Sequence, residues 1–462
     1  MRIEAENLVI GRGPVGVVTS HALLEKNRQV LNLDLGFNVK LSTKDLIVNS
    51  NINYTAATKP PSLVKEANEH LWGGACMGWQ YFEESNSTGT LMPGLPISEA
   101  QFKLASKKLM KILQISKFNF SSDRPSYVSK FNRINGLHMV FAKIVKDPYM
   151  TKQIQDLHLN PSYDFLPNVI VEELIDNGSK VECKGKFTDS NQPVTFVCKR
   201  VFLAAGTISN TNILIQSQLD SVNENYLGKY LSDHVSLPIA LMTTSSLIEV
   251  EKNFGYKNSA KGTKLWPRAK IQSKEDGTQH LDSFCYVTEI NASSKMGQKI
   301  LVVIRRFPIL SALAKMKVKG TFKLNLFTEV SNLSSNGIKK GKQNQDFTID
   351  FQLDRNDLAT ISKIASNYIE KLSTTSMMKS GETSLLLDLE HQLRTLQAGS
   401  HPSGSYRMST KQTEGVVNSD SQLHLHPNIY VLGAGAFPRS AATHPTFTAM
   451  ALALIAVDSI ED

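Results

Sequence analysis

The sequence predicts a mixed α/β protein (α+β overall) with a Rossmann-like dinucleotide-binding domain and a second domain built on an antiparallel sheet. Two observations carry this prediction. Residues 7–34 read strand, glycine-rich loop, helix, strand. Residues from about 240 to 360 are dominated by strand-like runs separated by polar turns. The length of 462 residues leaves room for more than one hydrophobic core.

The composition is typical of a globular protein, with 41% hydrophobic and 20% charged residues. No apolar run reaches the length of a membrane span, and MRIEAENLVIG enters a strand almost directly, so we expect no cleavable signal peptide. The four cysteines lack metal-ligand spacing, which predicts reduced thiols, no metal centre and a cytoplasmic location. The absence of a CxxCH motif excludes a c-type haem on this chain.

The excess positive charge is concentrated in one segment. The formal net charge is +9, and residues 251–320 contain 14 Lys/Arg against 5 Asp/Glu, which accounts for the whole excess. The segment is either a solvated face or a peripheral contact for an anionic surface such as acidic glycan, lipid headgroups or an acidic protein. No nucleic-acid recognition motif accompanies the charge, so nucleic acid is not an expected partner.

The strand–loop–helix–strand unit of residues 7–34 contains a dinucleotide-binding motif. Gly11 permits a tight turn after the strand NLVI, Gly13 lets the backbone approach a pyrophosphate, and Gly16 allows close packing of helix on strand. Pro14 suits the first helical turn, where its missing N–H is not needed. Asp34 ends the second strand, where a carboxylate binds a ribose hydroxyl. By itself this motif does not separate FAD from NAD.

The remaining elements follow in order from periodicity. A helix with a Ser98 cap is predicted over 98–115, and strands are predicted over 168–175, 180–187 and 193–206, followed by a helix at 208–217. The second domain is predicted to contain an amphipathic closing helix over 357–372 and four strands, 283–290, 299–307, 321–330 and 346–353.

Two histidines near the end of the chain have an unusual setting. His401 and His444 lie in turn-rich segments on either side of the strand-like run 429–432, and a helix follows Pro445. An imidazole of near-neutral pKa can take the proton of an alcohol, and a second imidazole can hold the same oxygen. His424 and His426 are interpreted as structural.

The sequence resembles the glucose–methanol–choline (GMC) family of flavoprotein oxidoreductases over nearly its full length. Five segments match family motifs in order: GRGPVG, WGGACMGW, VFLAAGTISNTNILIQS, LGKYLSDH and a C-terminal block that begins SHPSGSYRM. Taken alone, WGGACMGW reads as a structural turn. Within the family, Trp79 and Gly433 most resemble the bacterial sugar branch, which includes pyranose oxidase, gluconate and fructose dehydrogenases and glycoside oxidases.

The resemblance implies roles for single residues. His401 resembles the family's catalytic base, and His444 stands where the family has His or Asn as its partner. Members with covalent flavin often carry His where this chain has Gly78, which implies non-covalent FAD. Further cofactor contacts are implied at Gly73, Gly74, Val171, Gly433, Ala434, Thr446 and Phe447. Ser405 replaces a family Thr, and Gly435 replaces a family Ser.

The resemblance also implies a domain division and an activity. The FAD-binding domain would comprise 1–95, 160–240 and 395–462, and the substrate domain 96–159 and 241–394. The reaction would oxidise a CH–OH group, by our expectation of a sugar or glycoside, with hydride transfer to flavin N5. Electrons would pass to oxygen, a quinone or a protein. The alternatives are a flavin-binding protein with a lyase-like or interaction role, and an NAD-dependent dehydrogenase.

Overall fold

The computed structural model describes most of the chain. The described residues are 1–35, 46–54, 75–76, 95–114, 137–144, 150–220, 222–258, 264–271, 281–307, 317–341, 347–375, 384–386, 388, 391–392, 397–398, 401–442 and 444–461. Gly73, Gly74 and Gly78 lie outside these ranges, so the predictions made for them concern residues that the structure does not describe.

The secondary structure is mixed. The strands are β1 (Arg2–Ile10), β2 (Val30–Leu33), β3 (Leu46–Ser50), β4 (Asn53–Tyr54), β5 (Ala75–Cys76), β6 (Leu137–Ile144), β7 (Tyr163–Leu166), β8 (Val169–Asp176), β9 (Val181–Phe187), β10 (Pro193–Leu203), β11 (His234–Thr244), β12 (Lys257–Asn258), β13 (Lys264–Ile271), β14 (Ser283–Ala292), β15 (Gly320–Glu329), β16 (Gly337–Lys340), β17 (Phe347–Phe351), β18 (Ser384–Leu386), β19 (Gln397–Ala398), β20 (Gln422–Leu423) and β21 (His426–Val431). The α-helices are α1 (Pro14–Glu25), α2 (Glu99–Ile112), α3 (Thr151–His158), α4 (Thr207–Ser217), α5 (Leu247–Phe254), α6 (Lys295–Arg306), α7 (Arg355–Ser373) and α8 (Thr446–Asp458). Short 3-10 turns span Gln412–Glu414 and Ala434–Ala436.

The first sheet has a parallel centre, as the strand–helix–strand pattern predicts. Its order is β20-β21-β10-β1-β2-β7, and β9 joins β10 and β8 at one side. The pairs formed by β1 with β10 and with β2 are parallel, and so are β10–β21 and β2–β7. Helix α8 is buried along nearly its whole length because its residues Phe447–Val457 are almost all apolar.

The second sheet is antiparallel, which confirms the predicted fold class. Its order is β18-β11-β15-β14-β13-β6-β5, with β12 on β13, and every pair is antiparallel. Strand β17, which we expected in this sheet, instead forms a separate three-stranded sheet with β16 and β3. Each large sheet has its own hydrophobic core.

One predicted strand is wrong. The run 299–307 is not extended, and α6 covers Lys295–Arg306 instead. The Ser294 side chain caps the helix by accepting a hydrogen bond from the Gly297 N–H at 3.0 Å. Gly297, Leu301 and Ile304 are buried at helical spacing, so packing overrides the preference of the β-branched residues for strands.

The packing differs from the expected domain division at one place. Phe102 and Leu109 of α2 and Leu157 of α3 lie in the core around the first sheet, although segment 96–159 was expected in the substrate domain. Strand β6, from the same segment, pairs in the second sheet. The division as a whole stays a prediction, and the segment 96–159 contributes to both sheets.

Candidate active site

Both large sheets contribute to the loop that carries His401. The His401 N–H donates to Asp233 Oδ2 at 3.2 Å, just ahead of β11 of the second sheet. Ser232 and Ser403 exchange two backbone hydrogen bonds of 2.8 Å. Gly404 N–H donates to Ala434 O, which follows β21 of the first sheet. His401 is therefore held where the segments leaving the two sheets meet.

His444 lies two residues before the first turn of α8. Thr446 and Phe447 begin that helix, and Phe447 is fully buried. The ring centroids of His444 and His401 are 5.1 Å apart. The structure thus brings the two predicted catalytic histidines together, half-buried, next to a helix N-terminus whose N–H groups favour negative charge.

A third imidazole completes the cluster. His234 Nε2 lies 2.8 Å from His401 Nδ1, and His234 Nδ1 lies 3.0 Å from the Ala441 carbonyl oxygen. The ring centroids of His234 and His444 are 6.4 Å apart. Sequence reasoning did not select His234 or its neighbour Asp233 as site residues, although both belong to the segment LGKYLSDH that resembles a family motif.

A buried arginine provides a positive charge beside the cluster. The Arg268 guanidinium is fully buried, lies 4.1 Å from the ring centroids of both Trp266 and Phe284, and approaches His444 Nε2 at 2.6 Å. Burial lowers the pKa of Arg268 to about 9, so it remains a cation at neutral pH. Nothing in the sequence around Arg268 marks it as a site residue.

Burial keeps all three imidazoles neutral. Loss of solvent, followed by the charge of Arg268, lowers the pKa of His401 to about 4. Burial first and Arg268 next lower the pKa of His444 well below its usual value. Burial, and then His401, do the same to His234. A neutral imidazole is the form that can accept a proton.

Asp233 ties the cluster to the backbone. Its Oδ1 accepts the His234 N–H at 2.7 Å, its Oδ2 accepts the His401 N–H, and its backbone oxygen accepts the Ser440 hydroxyl at 2.8 Å. Burial raises the pKa of Asp233 to about 7, although both N–H donors oppose that rise. One side chain thus fixes the spacing between the backbones of two histidines.

The three imidazoles do not suit a metal ion. One nitrogen of each lies within 4.8 Å of the others. His234 and His401 already hydrogen-bond each other, and the cation of Arg268 occupies His444 Nε2. A divalent cation beside a buried guanidinium would be repelled, so we interpret the cluster as a proton-handling site.

Aromatic rings surround the histidines on the side of the second sheet. Trp266 stacks against His444 with centroids 6.3 Å apart, and Tyr256 stacks on Trp266 at 5.9 Å. Phe327 packs on His234 with centroids 4.2 Å apart. These three rings, Trp266, Tyr256 and Phe327, form an aromatic wall that excludes water from one side of the cluster. Tyr256 remains 47% exposed at the edge of this wall.

Buried ion pairs anchor the loop between β21 and α8. Arg439 pairs with Glu329 at the end of β15, and Glu329 Oε1 also accepts the Ala441 N–H at 3.3 Å. Asp282 Oδ2 accepts the Ala442 N–H at 3.0 Å, while its Oδ1 lies 3.1 Å from Lys270 Nζ. The second sheet therefore positions the backbone that ends at His444.

The glycine motif at the start of the chain has a geometry that fits a dinucleotide. Gly11 has φ +103°, and a Cβ there would lie 2.5 Å from the Ala204 carbonyl oxygen. A Cβ on Gly16 would lie 2.0 Å from the Gly11 oxygen, so α1 approaches the loop as closely as the motif requires. Gly13 is the extended N-cap of α1, and Pro14 is its first residue.

Asp34 lies beside this loop. Its Oδ2 accepts the Arg12 N–H at 2.8 Å, which brings a carboxylate from the end of β2 to the glycine turn. The side chain of Arg12 extends away to Phe165, whose ring centroid is 3.9 Å from the guanidinium carbon. Residues of this kind in this arrangement fit the ribose and pyrophosphate of a dinucleotide.

The other predicted cofactor residues lie at two places. The register of β8 on β9 shifts between Val171 and Glu173, and such a bulge leaves backbone groups of β8 outside the ladder. Gly433 has φ +121° and leads into Ala434, directly before the loop to α8. Val171 thus lies near Asp34, whose carbonyl accepts the Val169 N–H at 3.0 Å, and Gly433 lies on the side of the histidines.

The geometry accounts for both departures from the GMC motifs that the sequence resembles. A Cβ on Gly435 would lie 2.0 Å from the Tyr406 ring, so a serine does not fit without movement. Ser405 has φ +79°, a conformation that a β-branched threonine adopts at a high cost. The Ser405 hydroxyl forms a hydrogen bond of 2.7 Å with Thr211 Oγ1.

Comparisons with known proteins concern one segment of the sequence and the fold. Residues 328–453 match the family model described as GMC oxidoreductase, a segment that contains both predicted catalytic histidines. The fold is similar to the crystal structure of pyridoxine 4-oxidase from Mesorbium loti, with a TM-score of 0.57, 13% identity and 98% coverage of each chain. No curated protein sequence matches the chain.

Proposed function

We propose that this chain is an FAD-dependent oxidoreductase of the GMC family, and that it oxidises a CH–OH group of a small alcohol, most specifically a sugar or glycoside hydroxyl, to a carbonyl. The observation that carries the proposal is the pair His401 and His444, neutral and 5.1 Å apart at the N-terminus of α8.

The protein's own part in the reaction is proton handling and positioning. His401 accepts the substrate's hydroxyl proton because its lowered pKa keeps the ring neutral at pH 7. His444 hydrogen-bonds the same oxygen, and the N-terminus of α8 favours the negative charge that develops nearby. Bound FAD would supply the hydride acceptor.

The cofactor would be held without a covalent bond, through two groups of residues. The loop of Gly11, Gly13 and Pro14, packed against Gly16 and completed by Asp34, would bind the pyrophosphate and ribose. Val171 would meet the adenine. Gly433, Ala434, Thr446 and Phe447 would lie at the ring system, together with Gly73 and Gly74 from outside the described residues.

The aromatic wall supports a sugar as substrate. Trp266 and the half-exposed Tyr256 offer stacked ring faces beside His444, and the apolar C–H face of a pyranose packs well on such rings. The similar structure is named for pyridoxine, an aromatic alcohol, which would use the same faces by ring stacking. The test below therefore includes both substrate classes.

The test is reduction of the FAD-loaded protein without oxygen. A panel of pyranoses, glycosides, simple alcohols and pyridoxine is added, and the flavin absorbance near 450 nm is followed. At least one alcohol should bleach the flavin, and His401→Ala should slow bleaching by about 10²–10⁴-fold, the usual contribution of a general base. His424→Ala serves as the control because His424 contacts Ser409 O, away from the cluster. Full-rate bleaching of His401→Ala, or no bleaching by any alcohol, contradicts the proposal.

The electron acceptor would be oxygen, a quinone or a protein, and the exposed surface of α6 bears on contact with a membrane, where a quinone would be found. No described helix is long and apolar enough to cross a bilayer. Yet α6 exposes Met296, Val302 and Val303 together with Lys299 and Arg306, and its sequence contains no acidic residue. We propose that this face contacts an anionic lipid surface.

Liposome binding tests this contact. The FAD-loaded protein should sediment with vesicles of phosphatidylserine and phosphatidylcholine at low salt and be released at high salt. The double variant K299E/R306E should lose binding. The double variant K107E/K363E places the same charge change on exposed positions of α2 and α7 and should retain binding. Equal loss in both variants would show a general charge effect and contradict a site on α6.

A further inference from the structure

Hydrogen bonds to His234 determine where its protons lie. A carbonyl oxygen can only accept, so the His234 Nδ1 that faces Ala441 O at 3.0 Å must carry a proton. Burial keeps the ring neutral, and the neighbouring Arg268 adds to that effect. A neutral imidazole with its proton on Nδ1 has a lone pair on Nε2.

This assignment determines the tautomer of His401. Its Nδ1 lies 2.8 Å from His234 Nε2, which is an acceptor, so His401 Nδ1 must be the donor. The neutral His401 ring then carries its lone pair on Nε2. A proton taken from a substrate would therefore arrive at His401 Nε2.

Arg268 selects the same tautomer at His444 but leaves the other ring nitrogen free. A guanidinium only donates, so the 2.6 Å contact with His444 Nε2 makes that nitrogen the acceptor. The neutral ring then carries its proton on Nδ1. The two imidazoles of the site thus offer one acceptor, on His401, and one donor, on His444.

We propose that His234 is a positioning residue, which fixes His401 in the tautomer with its proton on Nδ1 and its lone pair on Nε2. This inference rests on the proposed function, in which His401 is the base. It adds that the chain Ala441 O, His234, His401 selects which ring nitrogen acts.

Loss of His234 has two expected consequences. His401 would no longer be restricted to one tautomer, so a fraction of the protein would present an N–H where the base is required. Protonated His401 would also lose His234 Nε2 as a hydrogen-bond acceptor, which lowers the pKa of His401. The other ionisable groups near His401 would remain in place; these are Asp233, Arg268 and His444.

Two substitutions separate this role from simple packing. His234→Leu fills the space without an acceptor, whereas His234→Gln places an amide oxygen near the position of Nε2. With the substrate that bleaches the flavin, His234→Leu should lower kcat by about 10–100-fold, the usual effect of removing a partner that orients a functional imidazole. The acid limb of the kcat–pH profile of His234→Leu should move to lower pH. His234→Gln should restore most of kcat and the normal limb.

A second measurement does not depend on activity. Nitrogen-15 NMR of imidazole side chains distinguishes protonated from unprotonated ring nitrogens. The FAD-loaded wild-type protein should show His401, assigned by its loss in His401→Gln, with Nδ1 protonated and Nε2 unprotonated at pH 7.5. The His234→Leu spectrum should show a mixture of tautomers.

The outcomes discriminate between the two proposals. The inference is overturned if wild-type His401 carries its proton on Nε2, or if Leu and Gln at position 234 are equally impaired with an unshifted acid limb. If no alcohol reduces the flavin, the proposed function fails, but the NMR experiment still decides the tautomer.

Discussion

The guanidinium of Arg268 lies 2.6 Å from Nε2 of His444, and it is the closest cation to the histidine cluster among the described residues. It stands between the rings of Trp266 and Phe284, which compensate part of its lost hydration. A buried cation beside two imidazoles opposes their protonation. It therefore supports their use as neutral groups at physiological pH.

Arg268→Met should change the pH dependence of the reaction. The charge of Arg268 lowers the pKa of both His401 and His444, so its removal raises both values. The acid limb of kcat/KM should therefore move to higher pH, opposite to the shift expected for His234→Leu. The plateau should fall about ten-fold or more because His444 loses a charge-assisted hydrogen bond. An unmoved limb would contradict the electrostatic role.

His401 should make the folded protein less stable in acid. Its folded pKa of about 4 lies below the unfolded value of 6.5, so the unfolded chain binds more protons between these values. The stability is fully present above pH 6.5 and falls as the pH drops toward 4, by up to about 3 kcal/mol at ~1.4 kcal/mol per pKa unit.

The comparison that isolates this effect is wild type against His401→Asn. Asp233, with its pKa raised to about 7, acts in the opposite direction and is present in both proteins. Urea unfolding of the FAD-loaded proteins from pH 4.5 to 7 should give a steeper rise for the wild type. Parallel curves would show that His401 is not neutral in the folded protein.

Gly435→Ser should destabilise the protein although serine stands at this position in the GMC motif that the sequence resembles. The new Cβ would lie 2.0 Å from the Tyr406 ring, and overpacking of this kind costs about 1–3 kcal/mol. Ala434→Ser, one position earlier, is the control. In a Tyr406→Leu background the cost of Gly435→Ser should shrink, as a double-mutant cycle would measure.

Asp34→Ala should weaken FAD binding. The carboxylate accepts the Arg12 N–H and is placed to bind a ribose hydroxyl, and a charged hydrogen bond contributes about 1.5–3 kcal/mol, or roughly 10–100-fold in Kd. Titration of the apoprotein with FAD, followed by quenching of flavin fluorescence, measures this change. Asp34→Asn should lose less, since its amide oxygen still accepts from Arg12. An unchanged Kd would remove Asp34 from the cofactor site.

Ser294→Ala tests the correction of a predicted strand to helix α6. Loss of an N-cap costs about 1 kcal/mol, which chemical unfolding detects. Ser294→Asp keeps a capping oxygen and should restore stability. If alanine is neutral at this position, Ser294 does not cap a helix.

Local patterns predicted most of the fold. The glycine turn with Pro14, the Ser98 capping box of α2 and the alternation in β8 to β10 all depend on neighbours within a few residues. Helix α6 was missed because Val302, Val303 and Ile304 favour strands locally. The burial of Leu301 and Ile304 against other elements decided the outcome, and that information is not local.

Site residues with a local sequence signal were predicted, and those without one were missed. His401 and His444 could be selected because each lies in a distinctive turn. His234 is 167 residues from His401, and Arg268 is 176 residues from His444. Contacts between residues so far apart in the sequence cannot be predicted from motif spacing or hydrophobic periodicity.

The sequence by itself determined the fold class, the dinucleotide motif and the identity of the two candidate histidines, because turns, caps and hydrophobic periodicity are short-range properties. The tertiary structure alone decided the tautomers, the charge state and the partners of those histidines. These depend on burial and on hydrogen bonds between the two sheets, which exist only when β11 and β13 lie against the loop that leads to α8.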